Sequence, residues 1–376
     1  MIKVFSVVSI HSCPGQQIGL GNSGGLSIYV INLIYFLIKK KQKVFLICKK
    51  HKNCNFAFSN KNFKLIHVDP QKRNSLSDEI IRDTNVLISN YWTSGVFSKI
   101  FESNHNLLKI NVSHTLEYLK KEHSSDYKID SKRINVEKSI FEFFDYTLSF
   151  SKLEESVLKN KYKLSPNKII NSTPGFNKEY FFHEDIIEAR KRIGFENNET
   201  KLILFVGRND YLKGLDIAVD AFKKVESEVN SIKLGIVGGD LGSVSQKKFQ
   251  KEIIGKKYSN KIIWFGSVSQ EKLRNYYNSS NLVIIPSRSE TFGIVCLEAI
   301  SSKTPVIASN TGRMKDFIEI DKTGVIINNI TPNDFARNII KFFENDNCFS
   351  FEENYYEKIK QFEWDKVFKD LYKFIE

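Results

Sequence analysis

Several things are scarce or missing in this sequence, and each absence narrows the choice of protein. No apolar run approaches the ~18 residues that a membrane-spanning helix needs, so a helical membrane bundle is excluded and a soluble chain is expected. The five cysteines are scattered and form no C-x-x-C pair, which reads as reduced thiols of a cytoplasmic protein. Only ten of the 56 basic residues are arginine, and asparagine is abundant. The net charge of +13 therefore reads mainly as a solvated lysine-rich surface, leaving contact with an anionic membrane open. No basic stretch is interleaved with aromatics in the way that stacked bases require, and nucleic acid is not an expected partner. There is no repeat of solenoid length and no low-complexity linker. The opening MIKVFSVVSIHSC lacks a small-x-small cleavage site, and Cys13 lacks the flanks of a lipoprotein box; a first β-strand is the better reading.

What is present is a chain of 376 residues, long enough for two cores. Short continuous apolar runs alternate with amphipathic stretches. Strands are expected at 3–10, 43–48, 64–68, 86–89, 109–112, 146–150 and 168–171, with helices at 27–40, 92–101, 131–144 and 152–160. A Pro/Gly turn, STPGFNKEYF (172–181), leads into a polar helical stretch. Strands then resume at 202–207, 233–239, 262–266, 282–287, 305–309 and 324–328. Strands without hydrophobic alternation, separated by helices, predict α/β domains with parallel sheets covered on both faces. The expected division is 1–180, 181–350 and a terminal segment 351–376 that includes the amphipathic FEWDKVFKDLYKFIE (362–376).

The run PSRSETFGIVCLEAISSKTPVIAS (286–309) carries the most chemistry. Glu290 lies in the loop after a strand, and Glu298 lies just over a turn inside the helix that starts near Phe292–Gly293. Between them are the free N–H groups and positive dipole end of a helix N-terminus, suited to phosphate oxygens. Carboxylates flanking a phosphate site suit a ligand with hydroxyls at both ends, and a nucleotide sugar is such a ligand. In FVGRNDYLKGLDIAVDAF (205–222), Arg208 follows a strand and Lys213 precedes a helix. Two cations so placed would neutralise a departing diphosphate.

Gly19, Gly21 and Gly24 have the spacing G-x-G-x-x-G, the dinucleotide fingerprint. That reading fails, because the glycines come too long after the first strand and the second strand ends Cys48-Lys49-Lys50 without an acid for a ribose. Gly24 and Gly25 instead open a helix where absent side chains would let a phosphate or sugar approach the backbone.

Glu290 and Glu298 resemble the E-x7-E signature of retaining GT-B glycosyltransferases of family 4, and Arg208 with Lys213 resembles that family's GR-x(4)-KG element. IHSCPGQQIGLGNSGGLSIYV is similar to the N-terminal loop of the sucrose-phosphate synthase and mycothiol glycosyltransferase branch. ISNYWTSG (88–95), VSHTLEYLK (112–120) and RINVEKSIFEFFDYTLSFSKLEESVL (133–158) resemble further segments of that branch, in order; Asn90 or its neighbour stands where a histidine is usual. Two further departures are Phe176–Asn177 in the hinge and Arg313 in TGRMKDFI, where a small residue is common near the donor.

The resemblance implies a GT-B fold, two Rossmann-like doubly wound domains facing across a cleft, and a terminal helix crossing back to the first domain. It implies retaining transfer of a hexose or N-acetylhexosamine from a nucleoside diphosphate, UDP first, to a hydroxyl acceptor. Glu290 and His114 would fix the sugar, Arg208 and Lys213 the diphosphate, Glu298 the ribose, and Val268 would meet the base. Gly24, Gly25, Phe292, Gly293 and Ile294 would contribute donor contacts. Tyr91, Thr115 and Arg133 match positions that hold the phosphate of a phosphorylated acceptor; Arg133 could equally pair with Glu137 along a helix. Acceptors of the family include sugar phosphates, polyols and glycans at the cytoplasmic face of a membrane. No D-x-D triplet occurs, so no essential metal and no cofactor are expected. A nucleotide-sugar epimerase and an inactive GT-B scaffold are the rival readings.

Overall fold

The computed structural model describes residues 2–15, 24–50, 54, 58–72, 75–123, 127–344 and 349–376. Its contacts divide the described residues into two units: those up to 174 together with 364–376 in the first, and those from 175 to 363 in the second.

The first unit is built on a seven-stranded sheet. Its strands are β1 (Val4–Ser9), β2 (Lys43–Lys49), β3 (Phe63–Val68), β4 (Val86–Asn90), β5 (Leu108–Val112), β6 (Tyr146–Ser149) and β7 (Ile169–Asn171), in the order β3-β2-β1-β4-β5-β6-β7. Every pairing is parallel. β1, β2 and β4 are buried almost throughout, which is why they read as unbroken apolar runs. The amphipathic helix Gly25–Lys39 turns Ile28, Val30, Leu33, Ile34 and Leu37 inward. The terminal helix Trp364–Ile375 belongs to this unit and buries Trp364, Val367, Phe368 and Leu371. It is tied there by Lys39 to Asp365 at 2.6 Å and by Gln42 to the Tyr372 hydroxyl at 2.8 Å.

The second unit repeats the plan with β8 (Lys201–Val206), β9 (Ile232–Val237), β10 (Ile262–Gly266), β11 (Leu282–Ile285), β12 (Val306–Ser309) and β13 (Gly324–Ile327), in the order β10-β9-β8-β11-β12-β13. Again all pairs are parallel. Alternate residues feed two cores: Ile203, Phe205, Leu234, Ile236 and Ile284 on one face, Leu204, Val283, Ile285, Val306 and Ala308 on the other. The unit opens and closes at one place, where Phe176 donates its N–H to Phe362 O at 2.9 Å and bridges to Glu363. That seam puts the divisions at 174/175 and 363/364, where the sequence reading had 180/181 and 350/351.

Each sheet reverses its strand order once, between β1 and β4 and between β8 and β11. Doubly wound sheets bind ligands outside the carboxyl ends of the strands at such a reversal. The loops that carry the residues singled out above leave the sheets at these ends.

Candidate active site

In the second unit, β8 ends at Val206 and the chain runs through Arg208 into a single turn, Tyr211–Lys213, before the helix Leu215–Val225. Asp210 caps that turn by accepting the Lys213 N–H at 3.1 Å, which fixes where the lysine side chain starts. Lys213 Nζ then reaches Glu290 Oε1 at 2.7 Å, and Ser287 Oγ donates to the same oxygen at 2.9 Å. These two side chains are only 25% and 11% exposed, so the pair is weakly screened. Residues 77 apart in sequence thus meet across the β8/β11 reversal. Arg208 lies five residues before Lys213, half-exposed and 3.0 Å from Asp210.

The two loops approach closely at Gly214. Its φ is +70°, and a Cβ there would lie 2.1 Å from Pro286 O. The approach is locked by Arg288, which sequence reasoning missed. Its guanidinium grips Asp216 with both ends at 2.9 and 2.6 Å, covers the Tyr211 ring at 4.0 Å, and its own N–H reaches Leu212 O at 2.8 Å. A signal for it was available: arginine is scarce in this chain, and one falls between the strand and Glu290.

The helix after Glu290 runs Ile294–Ser301 with Gly293 as its N-cap at φ +100°. Its first intrahelical acceptor is Gly293 O, bonded by Cys296 N–H at 3.0 Å, so the N–H groups of Ile294 and Val295 precede the helical ladder. Phe292 is buried against Phe317 and Phe362, leaving only its backbone for a ligand. Glu298 is 1% exposed; Gln270 Nε2 donates to one oxygen at 3.0 Å and the Tyr277 hydroxyl to the other at 2.9 Å. Burial pushes its carboxyl up to about 7. Arg313 is folded over the Phe292 and Phe362 rings at 5.5 and 5.4 Å and paired with Asp316. It is a packing residue of this loop. Val268 lies half-buried just beyond β10, packed on the core under the helix that begins at Gln270.

In the first unit the notable feature is backbone strain. Tyr91, just after β4, has φ +77°, and His114, just after β5, has φ +57°. Positive φ is uncommon outside glycine, and these two cases fall at the carboxyl ends of adjacent strands. Asn90 Nδ2 donates to Val8 O at 3.3 Å, which turns Oδ1 towards His114 Nε2 at 3.0 Å. Nε2 therefore carries the proton of a neutral ring, and Nδ1 is left as an acceptor. Burial, helped by the nearby charge of His11, pushes the imidazole down to about 3. A ring held neutral in this way can accept a hydrogen bond through Nδ1. Asn90, which from sequence is only a departure from pattern, acts here as the orienting partner.

Arg133 is 6% exposed and fully engaged: Nε to Glu137 at 2.9 Å, one terminal nitrogen to Thr115 O at 2.9 Å, the other 3.3 Å from Glu117. The rings of Tyr91 and Trp92 lie at 5.2 and 5.8 Å from the guanidinium. Of the two arrangements open from sequence, the Glu137 pairing is the one present, and Arg133 fixes Thr115 and Tyr91 in place. A phosphate would have to displace two carboxylates to reach it. Gly24 caps the helix Gly25–Lys39, and a Cβ there would meet nothing within 4 Å. Gly19 and Gly21 lie outside the described residues.

Residues 186–362 match the model of the glycosyl transferases group 1 family. The chain is 24% identical to D-inositol 3-phosphate glycosyltransferase of a Nocardioides species, over 92% of this chain and 83% of that protein. It is 23% identical to the Corynebacterium aurimucosum protein of the same name, over 96% and 92%. Sucrose-phosphate synthase from Thermosynechococcus elongatus superposes with a TM-score of 0.85 at 22% identity, over 99% of both chains. Anabaena HepE in complex with UDP-glucose gives 0.79 at 14% identity, over 99% of both. Sheet topology and the superpositions agree on the GT-B fold, and residues 186–362 carry the similarity to the glycosyl transferases group 1 family.

Proposed function

We propose that this protein transfers a hexose, glucose first among candidates, from UDP to a hydroxyl of a polyol phosphate or sugar phosphate, with retention of the anomeric configuration. The Lys213–Glu290 pair at the β8/β11 reversal carries the reading. In the apo state each residue neutralises the other. Once a donor binds, Glu290 has acceptor capacity for sugar hydroxyls, while Lys213 and Arg208 face the charge that develops on the leaving diphosphate. The N–H groups of Ile294 and Val295 add to that stabilisation at the helix N-terminus. Glu298 would receive the ribose by exchanging the Gln270 amide for a ribose hydroxyl. His114, neutral, would accept from the sugar through Nδ1 and leave the acceptor proton to the departing phosphate oxygen.

The names of the relatives support UDP and a phosphorylated polyol or sugar. A second reading, a neutral or lipid-linked glycan acceptor at a membrane surface, is favoured by one observation: Arg133 is already held by Glu117 and Glu137. No helix among the described residues is long and apolar enough to cross a membrane, so such an enzyme would act from the surface. The test is UDP release from a panel of UDP-sugars, with and without inositol phosphate, hexose phosphates and a membrane extract. Release that requires a phosphorylated acceptor is expected. Release only with the membrane extract would favour the second reading, and release without any acceptor, with the donor sugar isomerised, would point to an epimerase. No nucleotide binding would end the proposal.

A further inference from the structure

Three cysteines and a histidine far apart in the sequence converge at the carboxyl edge of the first sheet. Cys48 and His67 are neighbours in the parallel register of β2 and β3, so both side chains leave the same face. Cys13 follows β1 and is fully buried, as is Cys48; the two sulfurs are 3.5 Å apart. Cys54, beyond β2, places its sulfur 2.7 Å from that of Cys13 and 3.3 Å from His67 Nε2. The donor atoms of Cys13, Cys48 and His67 all lie within 4.8 Å of one another.

From these contacts we propose that Cys13, Cys48, Cys54 and His67 form a structural zinc site. Three thiolates and one imidazole are a closed tetrahedral set for this ion, with no position left for a substrate. Metal–sulfur bonds of ~2.3 Å put ligand sulfurs about 3.8 Å apart around a tetrahedron. The Cys13–Cys48 separation of 3.5 Å is near that value, and zinc would spread Cys13 and Cys54 by about 1 Å from their 2.7 Å. A Cys13–Cys54 disulfide is the competing chemistry, but it would account for one contact and leave Cys48 and His67 without a role. On binding, each thiol releases its proton to solvent, and the resulting net negative site is flanked in sequence by Lys49 and Lys50. The site lies in the first unit, apart from the Lys213–Glu290 pair of the second. What it would hold is the start of the segment that runs from β1 to Gly24, cross-linked to β2 and β3.

The test uses the full chain purified without reductant or chelator. Stoichiometric zinc by mass spectrometry is expected, released on titration with a mercurial reagent and recorded with a metallochromic dye. Replacement by cobalt(II) should give thiolate-to-metal charge transfer and the intense visible bands of a tetrahedral site. Cys48→Ser and His67→Ala should each lose most of the bound metal. Neither zinc nor a cobalt spectrum in the unmodified, folded chain overturns the proposal, whatever the variants do. An intact mass short of two hydrogens, with no metal, overturns it in favour of the disulfide.

Discussion

The two units share a sheet plan and differ in how they hold their candidate residues. In the second, opposite charges do the holding: Lys213 with Glu290, Arg208 with Asp210, Arg288 with Asp216. In the first, the rim is held by strained backbone at Tyr91 and His114, an amide that orients a neutral imidazole, and an arginine locked between carboxylates. A site built from exchangeable ion pairs can hand its charges to an incoming anion. A site built from fixed backbone and neutral groups presents a shape. That contrast can be broken at several points.

The largest effect is expected at the ion pair. Lys213→Ala and Glu290→Ala should each lower kcat/KM for UDP release by about 100- to 1000-fold, some 2–4 kcal/mol. Because the two residues touch, the double variant should lose less than the sum. Activity within twofold of the parent would remove both from the site.

Gly214→Ala comes next. It forces a side chain into positive φ and against Pro286 O, and should cost about 3 kcal/mol in a denaturant titration. An unchanged midpoint would mean that the two loops do not approach as described.

Each unit also buries a glutamate on the first turns of a helix, Glu154 in one and Glu298 in the other, and burial pushes both up to about 7. The folded state therefore holds their protons more tightly than the unfolded chain does. Their cost to stability is absent below the ordinary value of 4.5, grows as pH rises towards 7 and is constant above it. Glu154 has one oxygen without a partner among the described residues, so Glu154→Gln should gain up to about 3 kcal/mol over the parent by pH 8 and nothing at pH 4. A gain that does not change with pH would assign the effect to packing.

Two smaller effects test the candidate residues of the first unit. Gly24→Ala should leave stability within about 0.5 kcal/mol, since its Cβ meets nothing, while raising KM for the donor. For His114, the pH profile of kcat/KM should show no inflection near the ordinary imidazole value of 6.5, because the ring stays neutral down to about 3. A step near that value, abolished by His114→Asn, would instead assign His114 a proton-transfer role.

The thirteen strands among the described residues were legible from apolar runs, most of them because parallel strands buried on both faces leave a hydrophobic signature. The short helices Asp78–Asp83 and Glu117–His123 were not; with one or two turns each, they have no periodicity to read. The ion pairs of the second unit could be located from motif spacing, since charged residues at strand ends are conspicuous in a chain with so little arginine. What the candidate residues of the first unit depend on is invisible in a string of letters. Nothing in the sequence says that Tyr91 takes positive φ or that Asn90 turns its oxygen to His114. The convergence of Cys13, Cys48, Cys54 and His67 is a matter of sheet register, which no local spacing encodes.

The helix Trp364–Ile375 has a consequence for the order in which the molecule is made. Its Phe368 ring lies 5.3 Å from Tyr29 and 5.7 Å from Phe36 in the helix Gly25–Lys39, and Lys3 bonds Ile375 O at 2.6 Å. Synthesis runs from the first unit through all of the second before these residues emerge. The second unit can therefore close its seam at Phe176 and Glu363 while the first still presents an uncovered aromatic face. The part of the protein that is translated first is the part that finishes folding last, and a chain interrupted before residue 364 would yield a complete second unit joined to a sticky, unfinished one.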